Sequence, residues 1–257
     1  MSDFILELKN MRKEFGGVIA LDGVDLHLKR GELLSIAGDN GAGKSTLVKI
    51  ITGVHKPTSG EMHLNGKLVN FNSPREAADA GIAAAYQDLS LCDNLSAAAN
   101  LTLGQEPRLH GWRHRLGLLD IPRAHELAQT ALTEVGIETL TSTATRATYL
   151  SGGQRQAVAI VRAALETANI IVLDEPTAAL GIREREMVYS LVDKLRDQNY
   201  GIILVSHSVP EIVRLAARVM IFRLGKVAAE LEGSAIKDDA IVSAITGSRP
   251  EGGSRSE

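Results

Sequence analysis

Gly38-Asp39-Asn40-Gly41-Ala42-Gly43-Lys44-Ser45 lies between the apolar run Leu33-Leu34-Ser35-Ile36-Ala37 and a helix-patterned segment that runs from Lys44 to about Thr52 and stops at Gly53. Strand, glycine-rich loop and helix in that order satisfy G-x-x-x-x-G-K-[ST] in the context its mechanism requires. Glycines let the loop curl so that backbone N–H groups point inward at phosphate oxygens, the helix N-terminus adds its positive end, and Lys44 brings a full charge. The pattern alone arises by chance in roughly one chain of this length in a hundred. The bland alternative, a glycine turn that merely caps a helix, is therefore the weaker reading. Ser45, with Thr46 beside it, is placed to ligate a Mg²⁺ ion on the phosphates.

Outward from that loop, the chain reads as one α/β protein. Period-2 alternation at Phe4–Lys9 and Val24–Lys29 marks half-exposed strands and predicts an antiparallel sheet at the N-terminus. Glu61–Leu64 and Lys67–Val69 flank Asn65-Gly66, a dipeptide that accepts positive φ at both centres of a tight hairpin turn. A second hairpin is expected at Val219–Phe222 and Lys226–Ala228 around Leu224-Gly225. Between about Ser90 and Ala147 the texture turns Ala-, Leu- and Thr-rich, with breaks from Pro107 to Pro122, which predicts a helical insertion. Ile170–Leu173 and Ile202–Val205 are short apolar runs approached through helical segments, the pattern of a buried parallel sheet. The tail from Ser248 reads as frayed.

Composition sets the outer bounds. The 257 residues suffice for a large core, and 28 Lys+Arg against 31 Asp+Glu leave a formal charge of −3, with no bulk footprint for nucleic acid. Trp112 with Arg108, Arg113 and Arg115 is better read as an irregular loop of the insertion than as a nucleic-acid patch. The single cysteine, Cys92, forms no internal disulfide and reads as a packing residue. No basic-then-apolar leader opens the chain, and the longest apolar runs are strand-sized, far short of the ~20 residues of a membrane helix. A cytosolic product with at most a peripheral membrane role is expected.

Two further stretches carry chemistry. Asp174-Glu175 ends an apolar strand, where Asp174 can hold a metal ion at a neighbouring phosphate loop and Glu175, one carbon longer, can polarise an attacking water. Leu150-Ser151-Gly152-Gly153-Gln154 precedes Arg155–Glu166, an Ala-rich segment free of Gly and Pro, so a helix is expected there whose first turn offers a hydroxyl and uncluttered N–H groups as a second anion site.

Those five residues beside a phosphate loop resemble the signature of the ATP-binding cassette (ABC) ATPases, and the remaining marks of that family fall in order. Phe15 stands where the family stacks an aromatic on adenine, with ordinary strand core as the alternative for this residue. Gln87 matches the Q-loop glutamine that touches Mg²⁺ or water beside the membrane subunit. Asp174 and Glu175 match the Walker B acid and catalytic glutamate, Ala178-Ala179-Leu180-Gly181 the D-loop, and His207 the switch histidine of the γ-phosphate. Gly181 departs from the acid usual at that place, which puts the contact of that acid across the dimer in doubt.

The resemblance implies a phosphate-loop NTPase (RecA-like) core at 4–88 and 155–232. It also implies an N-terminal antiparallel β subdomain, a helical subdomain at about 89–154 and a free tail at 248–257. It implies ATP and Mg²⁺ as cofactors. Nucleotide contacts fall to Phe15, to Gly38, Asp39, Asn40, Gly41, Ala42, Gly43, Lys44, Ser45 and Thr46, and, across a head-to-tail homodimer, to Ser151, Gly152, Gly153 and Gln154. Glu175, His207 and Gln87 are the implied catalytic residues, with Ser45, Gln87 and Asp174 on the metal. Phe15–Val24, Pro176–Gly181 and Ser206–Pro210 look like the bacterial carbohydrate importers of the ribose, xylose and fructose type, in a single-cassette form. That implies integral permease subunits, an indirect periplasmic binding protein, and a peripheral position on the cytoplasmic face of the inner membrane. An exporter or lipid-transport ATPase would use the same site residues with a different receiving surface after Gln87. A soluble cassette protein acting on ribosomes or DNA is a further class, without support from repeats, coiled coil or a basic face.

Overall fold

The computed structural model describes residues 4–109, 117–137, 140, 142–165 and 168–247. Trp112, Arg113 and Arg115, and the tail from Ser248, lie outside them.

Two sheets organise the chain. The smaller is antiparallel, in the order β2-β1-β4-β5, from β1 (Phe4–Phe15), β2 (Val18–Lys29), β4 (Ser59–Leu64) and β5 (Lys67–Val69). The larger runs β10-β9-β3-β8-β7-β6, from β3 (Leu33–Gly38), β6 (Ile82–Ala85), β7 (Ile170–Asp174), β8 (Gly201–Val205), β9 (Arg218–Arg223) and β10 (Lys226–Glu232). All its pairings are parallel except β9 with β10. The alternation read at Phe4–Lys9 and Val24–Lys29 marks only the outer halves of a longer hairpin. β1 and β2 run twelve residues each to the Gly16-Gly17 turn. Register shifts between Leu8 and Glu14 interrupt the period-2 pattern there, which hides the strand from the sequence. Both predicted hairpin turns are present, with φ of 49° and 76° at Asn65-Gly66 and 48° and 77° at Leu224-Gly225.

The apolar runs are continuous because the larger sheet is covered on both faces. Along β7, Ile171 and Leu173 face a core shared with α3 (Ala97–Leu101), α4 (Ile121–Glu134), α5 (Gly152–Leu165) and α6 (Ile182–Asp197). Ile170 and Val172 face the opposite core, with α1 (Lys44–Ile51) and the smaller sheet. A third cluster ties α7 (Val209–Leu215) and α8 (Asp238–Thr246) to β9 through Ile212, Val219, Ile221 and Ile241. Between β5 and β6, α2 (Pro74–Asp79) is capped by the Ser73 hydroxyl.

The helical insertion is present as α3, α4 and the turn Ala147–Tyr149. The helix that follows it differs from expectation: α5 begins at Gly152, not Arg155. The Ser151 hydroxyl accepts the Gln154 N–H at 3.3 Å, the Gln154 side-chain oxygen accepts the Ser151 N–H at 3.0 Å, and this reciprocal cap draws both glycines into the first turn. Glu166, the expected end, lies outside the described residues, and α5 is described to Leu165. Cys92 is half-buried, and its backbone clasps the Asn100 side chain from both sides.

Candidate functional site

Register decides what meets at the carboxyl edge of the larger sheet. Ile36 of β3 pairs with Val205 of β8, Val205 with Asp174 of β7, and Leu173 with Ala85 of β6. The strands therefore release their next residues side by side: the Gly38–Ser45 loop from β3, Ser206-His207 from β8, Glu175 from β7 and Gln87 from β6. That edge is where open α/β sheets hold ligands.

The loop has its shape because two glycines cannot be anything else. Gly38 has φ 142° and a Cβ there would sit 2.2 Å from the Phe222 carbonyl oxygen. At Gly43, φ is 108° and a Cβ would lie 2.6 Å from the Ala20 carbonyl oxygen. The turn Leu224-Gly225 buttresses the loop from outside, since the Gly225 N–H donates to the Ala42 carbonyl at 3.0 Å and the Gly225 carbonyl accepts the Asp22 N–H at 2.9 Å. Gly43 offers no side-chain cap to α1, so the first-turn N–H groups of that helix face outward, as an anion site needs. Lys44 is 5 % exposed, and its Nζ donates to the carbonyls of Gly38 at 2.7 Å and Asp39 at 2.8 Å. Burial lowers its pKa, against the opposing pull of Glu175, Asp39 and Asp174. Ser45 is exposed beside it.

Across the cleft, Glu175 adopts a left-handed backbone with φ 50°, which for a non-glycine residue costs on the order of 1–3 kcal/mol. Its N–H donates to the Val205 carbonyl at 2.9 Å, which holds the turn against that strain. The Glu175 Oε1 lies 3.1 Å from His207 Nε2, the contact that joins the ends of β7 and β8. Asp174 has its pKa raised by burial first and by neighbouring Glu175 second, while Lys44 opposes both. A carboxylate crowded in this way gains from a cation. Together Ala20, Asn40 to Thr46, Glu175 and His207 line a cavity of about 220 Å³.

Phe15, Gly38, Asp39, Gln87, Asp174 and the Ser151–Gln154 turn are not among the residues of those walls. Phe15 is 42 % exposed at the end of β1, with Lys13 over its ring at 4.8 Å and His55 against its edge at 5.3 Å, so it is no core residue. Gln87 is exposed two residues beyond β6. The Ser151 turn faces α6 instead. There the Glu184 carboxylate accepts the N–H of Gly153 at 3.1 Å and of Gly181 at 3.2 Å. These two bonds, and the Ser151 hydroxyl after them, hold the Glu184 pKa below the usual carboxylate range. In this structure the turn faces the Glu184 carboxylate of its own chain. Gly153 is needed for that approach, as a Cβ there would lie 2.9 Å from the Glu184 Cβ.

Sequence reading missed Glu184 and Glu211. Glu184 carries a local signal, an acid three residues past a helix start, but its reach to Gly153 spans 31 residues and depends on the packing of α5 on α6. Glu211 reads as an ordinary acid in the first turn of α7, yet it is 1 % exposed.

The family model described as ABC transporter matches residues 21–178. The chain is 42 % identical over 223 residues to a fructose import ATP-binding protein of Rhizobium meliloti, covering 86 % of each. It is 38 % identical over 228 residues to a xylose/arabinose import ATP-binding protein of Sulfolobus acidocaldarius, covering 88 % of this chain and 87 % of that one. A ribose import ATP-binding protein of Agrobacterium fabrum is 39 % identical over 243 residues, 95 % of this chain, and the match spans 46 % of that longer protein. Among solved structures, an ATP-binding cassette of an ABC transporter superposes with a TM-score of 0.81 at 26 % identity, over 96 % of this chain and 98 % of its own. A dimeric bacterial ABC transporter cassette gives 0.73 at 28 % identity, over 88 % and 98 %.

Proposed function

The chain belongs to the ABC transporter family as an ATP-hydrolysing cassette, and from that premise we propose that it drives sugar import by closing as a head-to-tail pair on ATP. The observation that carries this is the meeting of the Gly38–Ser45 loop with Glu175 and His207 in one cavity, while the Ser151–Gln154 turn stands apart from it. One chain supplies two half-sites; the second half comes from another copy.

In this reading the loop N–H groups and Lys44 hold the β and γ phosphates, and Phe15 lies under the adenine. The Glu175 carboxylate takes the proton of the attacking water, and His207, 3.1 Å from it, fixes its direction and contacts the γ-phosphate. Ser45 and Asp174 offer the few oxygens that Mg²⁺ takes from a protein, and they would hold it together with Gln87. Held there, the ion would supply positive charge against the charge that develops on the phosphate oxygens. On closure, the Ser151 hydroxyl and Gly153 N–H exchange the Glu184 carboxylate for the γ-phosphate of the opposing copy. Hydrolysis removes that bridging phosphate, and the pair opens.

The helical unit, about 89–154, faces separate membrane permeases through the segment after Gln87, with the core at 4–88 and 155–232. Among the described residues no helix is long and apolar enough to cross a membrane, so in this reading the span belongs to the partners. Sugar is favoured by the import relatives, two of which the chain matches over 86 % and 87 % of their own length. The test is purification from native membranes in mild detergent, followed by reconstitution. Co-purification of a polytopic permease, with hydrolysis stimulated by a binding protein loaded with one sugar, is expected. Hydrolysis indifferent to membranes, with ribosomes or DNA recovered instead, would overturn the transport assignment.

A further inference from the structure

Glu211 takes no part in the scheme above, yet it is the only Asp or Glu among the described residues that is fully buried. From α7 it reaches back to both strand ends that carry the hydrolytic pair. Thr177, two residues after Glu175, donates its hydroxyl to Oε1 at 2.7 Å; Ser206, directly before His207, donates its hydroxyl to Oε2 at 2.5 Å. The Ser206 oxygen in turn accepts the Ser208 N–H at 3.0 Å, so the turn around His207 is held on both sides. The two bonds thus close a ring: Glu175 to His207 at the front, Thr177 and Ser206 to one carboxyl at the back. Beside that ring lies a cavity of about 290 Å³ lined by Glu175, Thr177, Arg185, Ser206, His207 and Glu211.

Burying a carboxyl group costs free energy, and burial raises the Glu211 pKa while the Ser206 and Thr177 hydroxyls oppose the rise. A simple packing position needs no such group. What a rigid, planar, two-pronged acceptor supplies is a fixed separation between two chain segments, with hydrogen bonds strengthened by exclusion of water. The segments it spaces are those whose side chains meet at 3.1 Å.

We propose that Glu211 is a positioning residue for ATP hydrolysis, bracing Thr177 against Ser206 so that Glu175 and His207 keep their mutual geometry. This rests on the reading of Glu175 and His207 as the hydrolytic pair. Misplacing a catalytic group by about 1 Å costs on the order of 100-fold in rate, while nucleotide binding is carried by the Gly38–Ser45 loop, which Glu211 does not touch.

The experiment measures steady-state hydrolysis, MgATP affinity by calorimetry and thermal unfolding for Glu211→Ala, Glu211→Gln and Ser206→Ala. Glu211→Ala is expected to lower kcat by about 10- to 100-fold with KM and MgATP affinity within about twofold. Glu211→Gln keeps one acceptor and is expected to recover most of the loss. Ser206→Ala removes one arm and is expected to lower kcat by a smaller factor, and it carries the test should Glu211→Ala not fold. Normal kcat in the folded variants, or a loss of kcat matched by an equal loss of MgATP affinity, would overturn the proposal. Normal hydrolysis by Glu175→Gln would overturn the reading beneath it, and is distinguished from failure of the brace alone, where Glu175→Gln is dead and Glu211→Ala is not.

Discussion

Glu175→Gln is expected to lower ATP turnover by about 10²- to 10⁴-fold while MgATP affinity changes by no more than a few-fold. Gln fills the same space and can still accept a hydrogen bond from His207 at the observed 3.1 Å, so the left-handed turn and the β7–β8 ladder are retained. What is lost is a group able to take a proton from water. The amide also removes a negative charge beside Asp174, whose pKa is raised by burial and by Glu175. Asp174 should then ionise more readily, so a cation at the proposed Mg²⁺ site would be held at least as well. Single-turnover hydrolysis beside equilibrium binding separates the two effects. Turnover within a few-fold of the parent would remove Glu175 from its role.

The largest effect on stability is expected away from the site, at Arg218→Met. The Arg218 side chain is 4 % exposed in β9, and its guanidinium donates to Glu32 at 2.7 Å, to Glu230 of β10 and to the His27 carbonyl of β2. One planar cation thereby joins the smaller sheet, the approach to β3 and the edge hairpin, and the geometry of five fixed donors suits three separate acceptors as no Lys would. Removing it leaves Glu32 partly buried without its partner, a change that costs about 3–5 kcal/mol. Urea unfolding should show a lower midpoint at unchanged slope. A loss under about 1 kcal/mol would mean that the surrounding carboxylates relax into water freely.

Much of this architecture was legible because its determinants are local. The Gly38–Ser45 loop, the two hairpin dipeptides and the Asp174-Glu175 strand end each declare themselves within ten residues, and the structure carries each where the chain predicts it. The register of β1 was not legible, since shifts at Met11–Glu14 break alternation and are set by pairing with β2 and β4 together. Nor was the start of α5, where two glycines argue against helix and only the Ser151–Gln154 cap overrides them. The polar links behind the site were invisible for a different reason. Glu184 to Gly153 and Glu211 to Thr177 join residues 31 and 34 positions apart, and no pattern in either helix announces those distant partners.

In the proposed mechanism each ATP lies between the Gly38–Ser45 loop of one copy and the Ser151–Gln154 turn of another. The most direct measurement is sedimentation of Glu175→Gln with MgATP, with and without the added change Ser151→Arg. A nucleotide-dependent dimer is expected for Glu175→Gln. With Ser151→Arg added, a monomer that binds MgATP with unchanged affinity is expected, because the arginine blocks only the half-site presented to the partner. A dimer that persists with Ser151→Arg, or a Glu175→Gln protein that binds MgATP and stays monomeric, would contradict that mechanism.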